Sequence, residues 1–97
     1  MATFVSLVSW TEQGIKNFKE SPARADAFAQ LVAKNGGTVK GLWWTLGQYD
    51  LVAITEAPDA ESATAVLLQL GAAGSVRTVT MQAFDREALE RIIAKTG

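Results

Sequence analysis

Four stretches of this chain carry apolar or aromatic residues at alternating positions, and two longer stretches between them carry apolar residues at helical spacing. That order limits the possible folds more than any single motif does. "TFVSLVSW" (Thr3–Trp10) is rich in β-branched and aromatic residues and predicts a first strand. A helix begins at Thr11, with Glu12 in its first turn; Gly14 weakens it, and Ser21-Pro22 interrupts it and restarts a helix, Ser21 as the cap. Ala25, Phe28, Ala29, Leu31 and Val32 then form an apolar stripe, and Asn35-Gly36-Gly37 supplies a left-handed stop. Thr38–Leu46 and Tyr49–Glu56 predict the second and third strands, joined by Gly47-Gln48 as a type II′ turn. Asp59 caps a helix reaching about Gly71, whose inner face is Ala63, Val66, Leu67 and Leu70. Ser75–Phe84 predicts a fourth strand, and Asp85 caps a short last helix with Leu89, Ile92 and Ile93 on one side.

The order β-α-β-β-α-β is the split βαβ, or ferredoxin-like, arrangement of the α+β class. It implies a four-stranded antiparallel sheet with helices on one face, here followed by a short C-terminal helix. At 97 residues the chain is expected to be one domain over positions 1–97. Alternation splits the strand residues into two sets. Val5, Leu7, Leu42, Trp44, Val52, Ile54, Val79 and Met81 are nearly all apolar and are expected to meet the helices. The opposite set includes Phe4, Ser6, Val8, Trp10, Val39, Gly41, Trp43, Thr45, Tyr49, Leu51, Ala53, Val76 and Thr80. That set is too apolar and aromatic for water, so another copy of the sheet is expected to cover it.

Histidine and cysteine are both absent. Within one chain this excludes a thiolate nucleophile, a Ser-His-Asp triad, a Cys/His zinc site and His- or Cys-ligated haem. Any general base would be Asp, Glu, Lys or Tyr, no metal site is indicated, and no cofactor is expected. The net charge of -1 gives little drive toward nucleic acid or anionic membranes. No apolar run approaches the ~18 residues of a membrane span, and no export signal stands at the start, so a cytoplasmic location is expected.

Three blocks in register, "FVSLVSWTEQGIKNFKESPAR", "LGQYDLVAITEAPD" and "GSVRTVTMQAF", resemble those of the GYD-domain family of small bacterial and archaeal proteins. Its Gly-Tyr-Asp signature corresponds to Gly47-Gln48-Tyr49-Asp50. The resemblance covers essentially the whole chain and implies a ferredoxin-like fold akin to dimeric α/β-barrel proteins. It implies no particular mechanism.

Gly47 and Gln48 are read as turn residues. Asp50 stands just inside a strand, where an acid is unfavoured unless its carboxylate is used. It can accept backbone N–H bonds, pair with Arg77 on the same face, or act as a catalytic acid/base. Tyr49, Trp43, Trp10, Thr45 and Ser6 are candidate ligand-binding residues between packed sheets. Trp43 and Trp44 point to opposite faces. Lys16, Lys19 and Arg24 gather at the Ser21 cap, either as solvated charges or as an anion site. The expected function is a homo-oligomer that binds a small, partly apolar molecule between its sheets. The alternatives are a cofactor-independent isomerase, lyase or monooxygenase-like enzyme using Asp50, and a purely structural assembly protein. Expected partners are further copies of the chain and a small molecule, not nucleic acid or a membrane.

Overall fold

The computed structural model describes residues Met1–Gly97. In chain order the elements are β1 (Ala2–Trp10), α1 (Glu12–Lys16), a 3₁₀ turn (Phe18–Glu20), α2 (Ser21–Lys34) and β2 (Thr38–Trp44). β3 (Leu51–Ala57), α3 (Ala60–Ala72), β4 (Val76–Ala83) and α4 (Arg86–Ala94) follow. The strands form one antiparallel sheet in the order β2-β3-β1-β4. This is the ferredoxin-like α+β arrangement that the element order implies. No helix is long and apolar enough to cross a membrane.

Local chemistry sets the boundaries. Thr11, Asp59 and Asp85 accept the backbone N–H groups of Gly14, Ser62 and Ala88 and so cap α1, α3 and α4. Gly36, at φ 83°, lets the chain leave α2. Ser21 is not the cap expected of it. It has helical dihedrals, and its Oγ accepts the indole N–H of Trp44 at 2.9 Å, tying the end of β2 to the start of α2. Gly14 is buried, and a Cβ there would lie 2.0 Å from the Ser75 carbonyl oxygen. The residue that weakens α1 as a helix is therefore what allows α1 to lie against the entry of β4.

The expected assignment of sheet faces is reversed for β1, β3 and β4. Phe4, Ser6 and Val8 of β1, Leu51, Ala53 and Thr55 of β3, and Val76 of β4 are the buried residues. Phe28 and Val32 of α2 and Val66 of α3 pack with Ala53 into one core cluster, while Val8, Leu51 and Val76 form a second. Both alternating sets are apolar, so alternation defines two faces without saying which is inside. The small residues go inside: Ser6, Ala53 and Thr55 lie beneath the helices, where short side chains let Phe28 and Val66 approach the sheet closely. β2 adds a register shift, in which Val39 pairs with Thr55 but Gly41 pairs with Ile54. This β-bulge turns both Val39 and Leu42 toward the core, so Leu42 and Trp44 face the helices as expected and Val39 does not face away.

The β2–β3 connection is also longer than a two-residue turn. It runs from Thr45 to Asp50, the residues between the end of β2 and the start of β3. Thr45 N–H still donates to the Asp50 carbonyl at 2.9 Å, and Thr45 Oγ1 donates to the Tyr49 carbonyl at 2.6 Å. Gly47 takes φ 129° within it.

Candidate functional site

The side of the sheet away from the helices carries two cross-strand rows. Register places Gly41, Ile54, Val5 and Met81 in one row and Trp43, Val52, Leu7 and Val79 in the next. Trp43, Val79 and Met81 are 56%, 52% and 47% exposed, and the central-strand members are half-buried by their neighbours alone. A Cβ on Gly41 would stand 2.3 Å from the Trp43 ring, so the indole lies folded over Gly41 and caps the first row. Charge is confined to the ends. Glu56, 3.9 Å from Lys40, stands beyond one row, and Arg77, paired in register with Ser9, follows the other, its guanidinium carried round the β4 edge to Gly71 of α3. At ~4.8 Å between strands and ~3.3 Å per residue, the two rows span on the order of 250 Å², a contiguous apolar patch of the few-hundred-Å² size that monomers rarely leave uncovered. An apolar centre with a polar rim is the anatomy of a protein interface.

α4 adds a second apolar surface. It stands apart from the packed layers, with Leu89, Ile92 and Ile93 exposed on one side and Phe84 exposed just before it. The molecule is accordingly elongated, 52 × 30 × 18 Å.

Beneath the helices lies a cavity of about 210 Å³, lined by α2, the C-terminal half of α3 and the inner face of the sheet. Members of both core clusters contribute to its wall, Phe28 and Ala53 from one and Val8, Leu51 and Val76 from the other. Polar lining comes from Ser6, Ser21, Arg24, Gln69 and Ser75. Ser6 Oγ is already bonded to Thr80 Oγ1 at 2.9 Å.

The candidate ligand residues therefore part company. Trp43 is on the open face. Ser6 lines the cavity on the opposite side, and Trp10 packs with Val8, Leu51 and Val76 on that same inner side. The Trp10 indole N–H is buried and meets no acceptor within the chain. Thr45 and Tyr49 belong to the β2–β3 loop, where Tyr49 is half-buried. Asp50 Oδ2 accepts the Trp10 backbone N–H at 2.8 Å, and Asp50 N–H donates to the Val8 carbonyl at 2.8 Å. Arg77 forms no ion pair with it; its guanidinium lies beside Gly71 of α3. Sequence reasoning missed the cavity and Arg24's place in it. The visible signal was one pair of small residues, Ser6 and Ala53, which stand side by side on β1 and β3 and both line the cavity.

The GYD domain model matches residues 4–93. A Thermus thermophilus protein named "Glutamine synthetase and cystathionine beta-lyase binding protein" is 33% identical over 84 residues, covering 86% of this chain and 88% of that protein. The crystal structure of TTHA0845, also from Thermus thermophilus, superposes with a TM-score of 0.57 at 26% identity, over 88% of this chain and 95% of that one. FFRP-DM1 superposes with a TM-score of 0.58 at 20% identity, over 87% of this chain and all of that one, a likeness of fold alone. With the matching model spanning nearly every element from β1 to α4, the chain belongs to the GYD-domain family.

Proposed function

We propose that this protein is a homo-oligomeric binding module whose open sheet face is covered by a second copy and whose assembled form docks onto other proteins. The observation that carries it is the pair of apolar rows running from Trp43 and Gly41 across to Val79 and Met81. A face of on the order of 250 Å² falls well short of the ~800 Å² per partner of a standard interface. The unpartnered side of α4 supplies further apolar area of the same kind, which an assembly through sheet and arm together would also cover. Large side chains fill the rows, which favours a dry contact between sheets over a ligand held there. Ser6 and Trp10, on the inner side, take no part in that contact. Docking onto other proteins is supported by the related Thermus protein, whose name states that it binds two enzymes.

Sedimentation at micromolar concentration tests the first half. The wild-type chain is expected to run as a dimer or larger, and the double variant Val79→Asp/Met81→Asp as a folded monomer by circular dichroism. A wild-type monomer at these concentrations overturns the reading. For the second half, glutamine synthetase from the same organism is expected to shift the sedimentation of the wild-type protein, and no shift with that enzyme would remove this support.

A further inference from the structure

We infer that the cavity between the sheet and α2/α3 is a binding site for a small aryl or short-chain carboxylate, with its apolar body against the inner sheet and its carboxylate at Arg24. Size sets the first limit. An apolar cavity of ~150 Å³ accommodates benzene, so about 210 Å³ accommodates a ring of that size with a short substituent. The wall is aliphatic and aromatic around Phe28, Leu31, Leu42, Leu51 and Leu70. This space, open to solvent on one side, leaves the facing walls of the two clusters without packing partners, contacts that an occupant would supply.

The cavity has one polar end. Arg24 Nη2 donates to the Gly14 carbonyl at 3.3 Å and its Nη1 to the Asn17 carbonyl at 3.0 Å, which fixes the guanidinium against α1. Gly14 in turn lies against the Ser75 carbonyl, so α1 links the two lining residues Arg24 and Ser75 near the start of β4. Ser21, one turn before Arg24 on α2, accepts the Trp44 indole N–H and keeps its own hydroxyl proton to donate. The Arg24 side chain is only 26% exposed, and two of its five N–H groups are engaged by the two carbonyls. Its acidic neighbour, Glu20, stands 3.7 Å away and is 71% exposed, an ion pair beyond hydrogen-bond length. The remaining guanidinium donors, with the Ser21 hydroxyl one turn away on α2, give an otherwise apolar space a cationic end, the complement of a carboxylate on a hydrocarbon body.

Methyl-labelled protein titrated with phenylacetate, ethylbenzene and phenethylamine tests this assignment. Phenylacetate is expected to give saturable shifts at the methyls of Leu31, Leu42, Leu70 and Val76, and to bind at least about ten-fold more tightly than the other two. Arg24→Gln is expected to remove that preference while leaving ethylbenzene binding unchanged. Ala25→Leu, which adds bulk to the lining on α2, is expected to abolish binding of all three. If Arg24→Gln does not fold, the ligand series and Ala25→Leu decide the matter. Equal binding of ethylbenzene and phenylacetate, phenylacetate shifts unaffected by Ala25→Leu, or no saturable shift each overturns the inference. The site is independent of the sheet-face reading, and the Val79→Asp/Met81→Asp variant is expected to bind phenylacetate as the wild type does.

Discussion

The carboxylate of Asp50 accepts the backbone N–H of Trp10 at 2.8 Å, while the Asp50 N–H donates to the Val8 carbonyl at the same distance. The residue thus closes the β1–β3 ladder with its side chain where the main chain turns away into the loop. Tyr49 and Thr45 are held by the same closure, because the Asp50 carbonyl accepts from Thr45 N–H and the Tyr49 carbonyl from Thr45 Oγ1. Asp50→Ala leaves the Trp10 N–H without that acceptor and is expected to cost about 1–3 kcal/mol in chemical denaturation. Asp50→Asn keeps a carbonyl oxygen and is expected to cost less. If Asp50→Asn abolishes a measurable activity at unchanged melting temperature, the carboxylate is catalytic and the ladder closure is its secondary use.

Gly14 tests how α1 is seated. In an exposed helix, Gly→Ala is favourable by about 1 kcal/mol. Here the added Cβ would come within 2.0 Å of a backbone oxygen, at Ser75, and backbone cannot swing aside as a side chain would. Gly14→Ala is therefore expected to destabilise by about 1–3 kcal/mol. The Thr11 N–H to Ser75 bond, 3.0 Å in the folded chain, should exchange its proton faster in that variant.

Element order, family blocks and three of the four expected caps, Thr11, Asp59 and Asp85 but not Ser21, were legible in the sequence because each is a local signal: period, capping residue, glycine stop. The faces were not. Val5, Leu7, Val52 and Ile54 form as good an apolar stripe as Phe4, Val8, Leu51 and Val76, and the choice between them is made by how closely α2 and α3 approach. Ala53 and Ser6 permit that approach, and bulk at either position would prevent it. The bulge beside Gly41 was equally hidden, since a one-residue shift in β2 leaves no mark in the alternation of β3. The two tryptophans separate to opposite faces as strand geometry requires. Asp50's partner lies forty residues earlier in the chain, a distance no local pattern spans.

Asp59 carries a pH dependence whose sign follows from its cap. The Ser62 backbone N–H first, and the Ser62 side chain second, stabilise the carboxylate and hold its pKa below the ordinary aspartate value. A folded pKa below the unfolded one adds stability that is complete above the unfolded value, about 4, and is lost as pH falls through the folded value. Asp59→Ala is thus expected to be less stable than wild type at pH 7, with the difference narrowing below about pH 4. Paired denaturation curves across that range check it. A difference that stays constant through acid would assign the loss to something other than the ionised cap.

Gly41 separates folding from assembly. Its substitution by alanine puts a Cβ where the Trp43 ring now lies, but the ring is the far end of an exposed side chain and can move off. Replacing glycine within a strand also recovers about 0.5–1 kcal/mol of backbone entropy. Gly41→Ala is therefore expected to change stability by less than about 1 kcal/mol while displacing the indole from the first apolar row. Under the proposed sheet-to-sheet contact the displaced ring stands where the second copy packs. The dissociation constant measured by sedimentation should then rise, with an altered tryptophan emission and an unchanged melting curve for the monomer. An unaltered dissociation constant together with a shifted emission would place the contact between copies somewhere other than Trp43.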